Sequence, residues 1–362
     1  MPSHRERNLF AAPCHGYSVI VSSPVSESRE ISPAATLEPA DPTQANLLPA
    51  KLSAKTVFLT GPTASGKSAL GVVLAERLGA EIVSMDSMAL YRGMNIGTAK
   101  PSRDDRRCVP HHLVDVVDPW EEFSLAEYLA AAGRAVEEIH ARGRVALFVG
   151  GTPLYLKSLL RGASSGPPPD AELRTRLEQE AAREGTEQLH RRLAQVDPLA
   201  AQRISPNDLR RIVRALEVFE KTGVPISASQ VHFRRVANPA ARVICLEMPR
   251  DRLYRRIDER VERMFHQGFV DEVRGLLRLE RPLSRTARQA VGYKETIDHL
   301  DGKQTLSETI ELVQRRSRQF AKRQLTWFRQ LAECRWLPAE SGVDVLAELQ
   351  IESTAGAETG RQ

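Results

Sequence analysis

The segment Gly61-Pro-Thr-Ala-Ser-Gly-Lys-Ser68 decides the fold of this chain. It fits the P-loop pattern G-x-x-x-x-G-K-[ST], and it stands between an apolar stretch, Thr56–Thr60, that is typical of a buried strand and a predicted helix over residues 68–78. The glycines allow the backbone to curl so that several N–H groups point at one anion, and the helix start adds its positive end. The segment therefore predicts a phosphate-binding loop, in which Lys67 supplies a positive charge and Ser68 a hydroxyl for Mg²⁺.

Strands and helices alternate along the chain after this loop. Strands are predicted at residues 81–85, 113–117, 145–149 and 243–246, and a helix over 124–141 begins with the capping-box pair Ser124 and Glu127. Strands separated by helices predict the α/β class, here a P-loop NTPase-like parallel sheet with helices on both faces.

Residues 161–240 interrupt this alternation. They open with Gly166-Pro-Pro-Pro169, carry helical patterns at 171–184, 187–194 and 208–222, and show little strand signal. The sequence thus predicts an α/β core of residues 53–160 and 241–338, which includes C-terminal helices, and an inserted helical domain at 161–240. The Ser-, Pro- and Ala-rich residues 1–52 and the acidic residues 339–362 are predicted to be disordered.

Composition limits the classes of protein to which the chain can belong. The 362 residues carry a net charge of +5, and the acidic tail makes the body more basic still. A basic body favours a polyanionic partner or a phosphorylated substrate, although a well-solvated Arg-rich surface explains the charge equally well. No apolar run reaches transmembrane length, so no membrane partner is expected, and the four scattered cysteines favour a reduced cytoplasm. Since no heptad seam or apolar interface is evident, we expect a monomer.

Carboxylates near strand ends separate two kinds of P-loop protein. Nucleotide-hydrolysing members place an acidic Mg²⁺ ligand at the end of a later strand. The best later strand here, 145–149, is followed by Gly150-Gly151-Thr152, without a carboxylate. Asp86 instead follows the second strand, where it is expected near the P-loop as a general base or as a residue that caps the next turn. This pattern favours a loop that binds a diphosphate leaving group over an ATPase.

Taken together, these motifs resemble those of the tRNA dimethylallyltransferase (tRNA isopentenyltransferase) family. The resemblance extends over residues 56–337, and its most specific blocks are Gly97-Thr-Ala-Lys-Pro101 and Ala321-Lys-Arg-Gln-Leu-Thr-Trp327. The other matching stretches are residues 61–68, 84–87, 91–96, 111–119, 149–152 with Tyr155, 207–217, 289–293 and 319–328. The chain departs from the bacterial pattern in its long extension before Thr56, and it lacks the Cys/His cluster of the zinc finger found in some eukaryotic relatives.

The resemblance implies prenyl transfer to RNA. Dimethylallyl diphosphate would bind with its diphosphate in the P-loop, and the cofactor Mg²⁺ would bind Ser68. The N6 amine of the adenosine 3′-adjacent to the anticodon of a tRNA would attack the allylic carbon, giving N6-(dimethylallyl)adenosine and diphosphate. Asp86 and Thr152 are the implied catalytic residues, and Asp86 would orient the amine and take its proton.

The same resemblance assigns binding residues. The diphosphate would be bound by Gly61, Pro62, Thr63, Ala64, Ser65, Gly66, Lys67, Ser68 and Arg260, with Arg256 and Arg263 as close alternatives to Arg260. The anticodon stem-loop of the tRNA would contact Asp86, Ser87, Met88, Ala89, Thr152, Arg174, Arg210, Arg211, Ile212, Val213, Arg214, Gln289, Gly292, Tyr293 and Lys294.

Near the C-terminus, a basic stripe is predicted on one helix. Helical spacing places four cationic residues on one side and three apolar ones on the other: Arg315, Arg318, Lys322 and Arg329 against Leu312, Phe320 and Trp327. The stripe is either a solvated face or a contact to the RNA backbone.

Other functions stay open at the level of sequence. A small-molecule kinase would share the P-loop, but the missing strand-end carboxylate and the helical insertion fit it poorly. A nucleic-acid-binding regulator could use the P-loop as a switch. Prenyl transfer to a free adenine nucleotide is the closest rival, and the helical insertion and basic helices favour a large RNA acceptor over it.

Overall fold

The computed structural model describes residues 55–163, 166–229 and 241–339, together with Val345 and Glu348. The segment 1–52, predicted to be disordered, lies outside the described residues, as does almost all of the predicted tail 339–362. Among the described residues, no helix is long and apolar enough to span a bilayer.

A six-stranded sheet forms the centre of the molecule, and all of its strand pairs are parallel. Its strands are β1 (Thr56–Thr60), β2 (Ala80–Ser84), β3 (His111–His112), β4 (Val145–Gly150), β5 (Arg242–Glu247) and β6 (Cys334–Pro338). Their order across the sheet is β3-β2-β4-β1-β5-β6. The strand that precedes the P-loop therefore lies inside the sheet, between β4 and β5, and the predicted fold class is confirmed.

Alternate residues of the central strands enter two different hydrophobic cores, as expected for a sheet covered on both faces. Val57 and Leu59 pack with α1 (Lys67–Leu78) on one face. Phe58 lies on the other face, where it stacks on Phe148 at 4.9 Å and packs with α3 (Leu125–Ala141). Because both faces are covered, only the ends of the strands are left for chemistry.

One local prediction was wrong, and one strand of the sheet was not predicted. No strand covers 113–117, because Leu113 and Asp115 adopt positive φ angles of 59° and 58°, and Asp115 is instead bound by Lys100 and Arg106. The edge strand β6 was not predicted; its two buried residues, Cys334 and Leu337, are neither adjacent nor alternate, so its sequence shows no strand pattern. A short helix, α2 (Arg103–Cys108), also lies in the connection between β2 and β3.

Residues 171–229 are helical and have a hydrophobic core of their own, to which Leu177, Leu189 and Leu216 contribute. The helices are α5 (Ala171–Glu184), α6 (Thr186–Val196), α7 (Pro198–Ala201), α8 (Leu209–Thr222) and α9 (Ile226–Ser229). They follow α4 (Pro153–Arg161), which starts directly after the loop that leaves β4.

Helices from the C-terminal part of the chain complete the described structure, and two of them contact the P-loop. They are α10 (Arg250–His266), α11 (Phe269–Leu277), α12 (Arg285–Arg288), α13 (Tyr293–Leu300) and α14 (Leu306–Phe328). The buried side of α14 consists of Thr309, Val313, Ser317, Ala321, Gln324 and Phe328. Phe320 and Trp327, which were placed on the helix side opposite the basic stripe, are each 36% exposed and do not belong to this buried side.

Candidate active site

The P-loop connects β1 to α1 at the carboxyl edge of the sheet. Gly61 and Gly66 have φ angles of 149° and 93°, and Ala64 between them has a φ angle of 65°. A side chain at position 61 would place its Cβ 2.9 Å from the carbonyl oxygen of Leu246, so this position requires glycine. The loop therefore wraps tightly before the first turn of α1, whose N–H groups are suited to an anion.

Lys67 lies in this loop with its ammonium group poorly hydrated. Its Nζ donates a hydrogen bond to the carbonyl oxygen of Pro62 at 3.2 Å. Burial lowers the pKa of Lys67 to about 8; the nearby carboxylate of Asp86 opposes this shift, and the guanidinium of Arg260 adds to it. An anion bound beside Lys67 would compensate for the lost hydration.

Two buried polar atoms beside the loop lack hydrogen-bond partners among the described residues: Ser65 Oγ and Arg260 Nε. Burial lowers the pKa of Arg260, Asp86 opposes the shift, and Arg263 adds to it. Arg256 also reaches the loop, since its Nη2 lies 3.7 Å from the position that a Cβ on Gly66 would take. Arg256 and Arg260 thus both lie near the P-loop, whereas Arg263 is exposed.

The loops that follow β2 and β4 are joined by hydrogen bonds. The Thr152 N–H donates to the Met85 carbonyl at 3.2 Å, and the Ser87 N–H donates to Thr152 Oγ1 at 3.1 Å. A Cβ on Gly150 would lie 2.1 Å from the Met85 carbonyl oxygen, so this close approach requires glycine. The structure therefore brings together Asp86, Ser87 and Thr152, three residues that the family resemblance assigns to the site.

Asp86 is partly buried between these loops and the P-loop. Its Oδ1 accepts a hydrogen bond from the Met88 N–H at 2.9 Å, while Oδ2 accepts none within the described part of the chain. Its charge acts on Lys67 and Arg260, and it also contributes to the raised pKa of Tyr155, which is due first to burial. The carboxylate both caps the next turn and has one oxygen available for a proton.

Exposed residues from two distant parts of the chain meet at a cavity of about 530 Å³. Arg210 comes from α8, and Gln289 follows α12. The other lining residues are Ser205, Asn207, Asp208, Leu209 and Arg285. Arg211 follows the cavity residue Arg210 in the sequence. Its side chain is 62% exposed and pairs with Asp208 at 3.3 Å.

Several residues predicted to contact tRNA have other roles in the structure. Ile212 and Val213 are buried in the core of the helical segment, and Ala89 is 4% exposed. Tyr293 is fully buried, with its hydroxyl donating to Glu272 at 2.6 Å. Gly292 is buried and has a φ angle of 93°. In this conformation these side chains pack inside the protein and do not present a surface to RNA.

Arg174 and Arg214 share one buried partner. Arg174 binds both carboxylate oxygens of Glu217 at 2.9 Å, and Arg214 Nη1 binds Glu217 Oε2 at 2.5 Å. About a third of each arginine side chain stays exposed. Lys294 is exposed and pairs with Asp298 at 2.7 Å, and Met88 is partly buried.

Two residues of the site were not predicted from the sequence. Glu272 accepts hydrogen bonds from the N–H groups of Asn95, Ile96 and Gly97, and so fixes the loop that contains Gly97-Thr-Ala-Lys-Pro101. Gln324 bonds to the P-loop and to the loop after β4. Gln324 lies within the specific block Ala321–Trp327, but the resemblance gave this residue no role.

Comparison with known proteins gives consistent matches. The family model for IPP transferase matches residues 89–331. A tRNA dimethylallyltransferase of Geobacter metallireducens is 50% identical over 285 residues, covering 78% of this chain and 91% of that protein. A second, from Geobacter sulfurreducens, is 49% identical and covers 82% and 96% of the two chains.

Solved structures of similar proteins extend the match. The crystal structure of the full-length tRNA isopentenylpyrophosphate transferase of Bacillus halodurans matches with a TM-score of 0.57 and 41% identity, over 79% of this chain and 90% of that one. A eukaryotic dimethylallyltransferase acting on tRNA matches with a TM-score of 0.66 and 29% identity, over 78% and 74% of the two chains.

Proposed function

The chain belongs to the IPP transferase family, and from this we propose that it transfers a dimethylallyl group from dimethylallyl diphosphate to the N6 amine of the adenosine 3′-adjacent to the anticodon of tRNA. It is a prenyltransferase that modifies tRNA. One observation carries the mechanism: the single available oxygen of Asp86 lies beside the P-loop that holds Lys67. A proton acceptor next to a site for an anionic leaving group is what the transfer requires.

The reaction exchanges one bond for another. The N6 nitrogen forms a bond to the allylic carbon while the bond from that carbon to the diphosphate oxygen breaks, and the amine proton passes to Asp86 Oδ2. An exocyclic amine of adenine is a weak nucleophile, so positioning and stabilisation of the leaving group supply much of the rate. The P-loop N–H groups, Lys67 and Arg260 would stabilise the negative charge that develops on the departing diphosphate.

Ser65 and Arg260 support this placement of the diphosphate. Each contributes a buried polar atom without a partner in the described structure, and such an atom is costly to leave unsatisfied. Phosphate oxygens are acceptors for both a hydroxyl and a guanidinium. We therefore infer that Arg260, with Arg256 beside it, contacts the diphosphate, and that the exposed Arg263 does not.

The donor groups at this site also fit Mg²⁺. Ser68 is exposed at the start of α1, and no group of three or more His, Cys, Asp or Glu residues is placed to hold a metal among the described residues. Mg²⁺ in phosphate-transferring sites is bound by few protein oxygens, with substrate phosphates and water completing the shell. Ser68 would hold the ion, which would neutralise part of the charge of the diphosphate when bound.

The acceptor side is proposed to be the cavity between α8 and Gln289. Arg210 lines this cavity and offers positive charge to a phosphate backbone, Arg211 follows it and pairs with Asp208, and Gln289 offers a polar amide. A base in an anticodon loop is unpaired and costs less to extract than a base in a duplex. We expect the protein to act as a monomer in the cytoplasm.

The test compares acceptors under the same conditions. We would measure transfer from dimethylallyl diphosphate, with Mg²⁺, to an anticodon stem-loop, to the same RNA annealed to its complement, and to adenosine monophosphate. The stem-loop should be prenylated and the other two should not. Equal rates on the stem-loop and on the annealed RNA would contradict recognition of an unpaired base. A higher rate on the mononucleotide would show that a free nucleotide, and not tRNA, is the acceptor.

A further inference from the structure

Gln324 forms hydrogen bonds to two loops of the site at once. It lies on the buried side of α14 and is 3% exposed. Its Oε1 accepts a hydrogen bond from the P-loop N–H of Thr63 at 2.8 Å, and its Nε2 donates one to the carbonyl of Gly151 at 2.6 Å. One amide side chain therefore spans from the diphosphate loop to the loop that carries Thr152.

Gly151 shows how closely these parts are packed. A Cβ at this position would lie 2.6 Å from Gln324 Nε2, 3.2 Å from the Gly61 carbonyl oxygen and 3.3 Å from Lys67 Cε. The residue after it, Thr152, binds the Ser87 N–H beside Asp86. A shift of Gln324 would therefore displace Lys67 and, through Thr152, Asp86.

Packing alone does not require an amide at this position. Ala321 and Phe328, on the same side of α14, are fully buried and apolar, and a leucine would fill a similar volume there. Burying an amide is unfavourable unless both of its polar ends are bonded, and both ends of Gln324 are. Nucleotide-hydrolysing P-loop proteins place a carboxylate at the end of a later strand, and β4 ends without one. The loop after β4 is instead bonded to the neutral amide of Gln324.

We propose that Gln324 is a positioning residue for the transfer reaction, which fixes the P-loop relative to Thr152 and Asp86 so that leaving group and proton acceptor face the same allylic carbon. The inference rests on the proposed function. Gln324 touches neither reactant; it acts through the Thr63 N–H and the Gly151 carbonyl. Displacement of a catalytic group by about 1 Å lowers a rate by about 100-fold, which sets the expected size of the effect.

The first test is Gln324→Leu, with Gln314→Leu as the matched control. Gln314 lies on the same helix but bonds to Asp258 and Glu262 on α10, away from the P-loop. We expect Gln324→Leu to lower kcat by about 100-fold with KM for tRNA within about twofold of the wild type. Gln314→Leu should leave kcat within about twofold.

The second test is Gln324→Glu, which keeps the size of the side chain and decides the question if the leucine variant does not fold. A protonated glutamic acid accepts from Thr63 and donates to Gly151 as the amide does, whereas the ionised form has no donor. The kcat of this variant, divided by the wild-type kcat at the same pH, should therefore fall as the pH rises from about 5.5 to 9, a range into which burial moves a glutamate pKa.

The outcomes separate this inference from the function on which it rests. A wild-type protein that prenylates no tRNA would remove the proposed function. An active wild type together with a folded Gln324→Leu variant of unchanged kcat would overturn only the positioning role. A Gln324→Glu variant whose relative kcat does not change with pH would overturn it as well.

Discussion

The pH dependence of diphosphate binding follows from the environment of Lys67. Burial lowers the pKa of this lysine to about 8, so the free enzyme loses the positive charge of its P-loop within the ordinary working range of pH. The last pKa of a phosphate group is about 6, so the ligand gains negative charge and loses none as the pH rises above neutrality. A fall in affinity above pH 7 would therefore come from a loss of charge on the protein and not from the ligand.

The expected magnitude comes from the fraction of Lys67 that is protonated. With a pKa of about 8, roughly nine in ten of the lysines are protonated at about pH 7 and one in ten at about pH 9. If only the protonated form binds well, affinity falls about tenfold over this interval, equivalent to about 1.4 kcal/mol. Affinity should fall and not rise with increasing pH, because lower pH favours the charged form of Lys67.

Isothermal titration with dimethylallyl diphosphate and Mg²⁺, without tRNA, measures the affinity directly at each pH. Lys67→Met is the control: it should bind more weakly at pH 7, and its remaining affinity should not change up to pH 9. A wild-type affinity that is constant from pH 7 to 9 would refute the reasoning, and so would a Lys67→Met variant with the same pH dependence as the wild type.

Three further outcomes are expected. Asp86→Asn should lower kcat by about 10²–10⁴-fold while dimethylallyl diphosphate affinity stays unchanged, as measured by single-turnover kinetics and titration; normal turnover would reduce Asp86 to a turn cap. The double variant Arg210→Ala, Arg211→Ala should bind tRNA more weakly. The slope of log affinity against log salt concentration should become shallower by about 0.7–0.9 for each phosphate that the protein no longer neutralises. An unchanged slope would show that these arginines do not bind the RNA backbone. Glu272→Ala removes the acceptor of three backbone N–H groups and of the Tyr293 hydroxyl, so the free energy of unfolding in urea should drop by about 3 kcal/mol; a drop within measurement error would show that the loop is fixed by other interactions.

Features encoded in short, contiguous patterns could be predicted from the sequence. The P-loop is one example, since strand, glycines, lysine and helix follow one another within about a dozen residues. The position of Asp86 near the P-loop could also be predicted, because parallel strands end at the same edge of a sheet. In both cases a local pattern and one topological rule determine the position.

Contiguous motifs were a poorer guide to which side chains face RNA. The family resemblance predicts tRNA contacts for all of residues 210–214, yet one turn of helix directs Arg210 and Arg211 outward and Ile212 and Val213 into the core. Tyr293 is another predicted tRNA contact, yet its hydroxyl binds Glu272, which fixes a loop in a much earlier part of the chain. A motif can thus mark a packing requirement as readily as a binding surface.

Gln324 shows what sequence alone leaves out. Its partner Thr63 is 261 residues away along the chain, and no periodicity links the two. The basic stripe on the same helix illustrates the same limit, since Arg318 pairs with Asp258 on α10 and its charge is therefore partly neutralised. Such pairings depend on how α14 is placed against the sheet and α10, which only the folded structure specifies.

The most direct test of the central claim is nucleoside mass spectrometry of tRNA incubated with the protein, Mg²⁺ and dimethylallyl diphosphate, followed by mapping of the modified position. The proposed function predicts one adenosine per tRNA that has gained the mass of a single dimethylallyl group, at the position 3′-adjacent to the anticodon, and none when Asp86→Asn replaces the wild type over the same short incubation. tRNA that gains no such mass with the wild-type protein would contradict the claim.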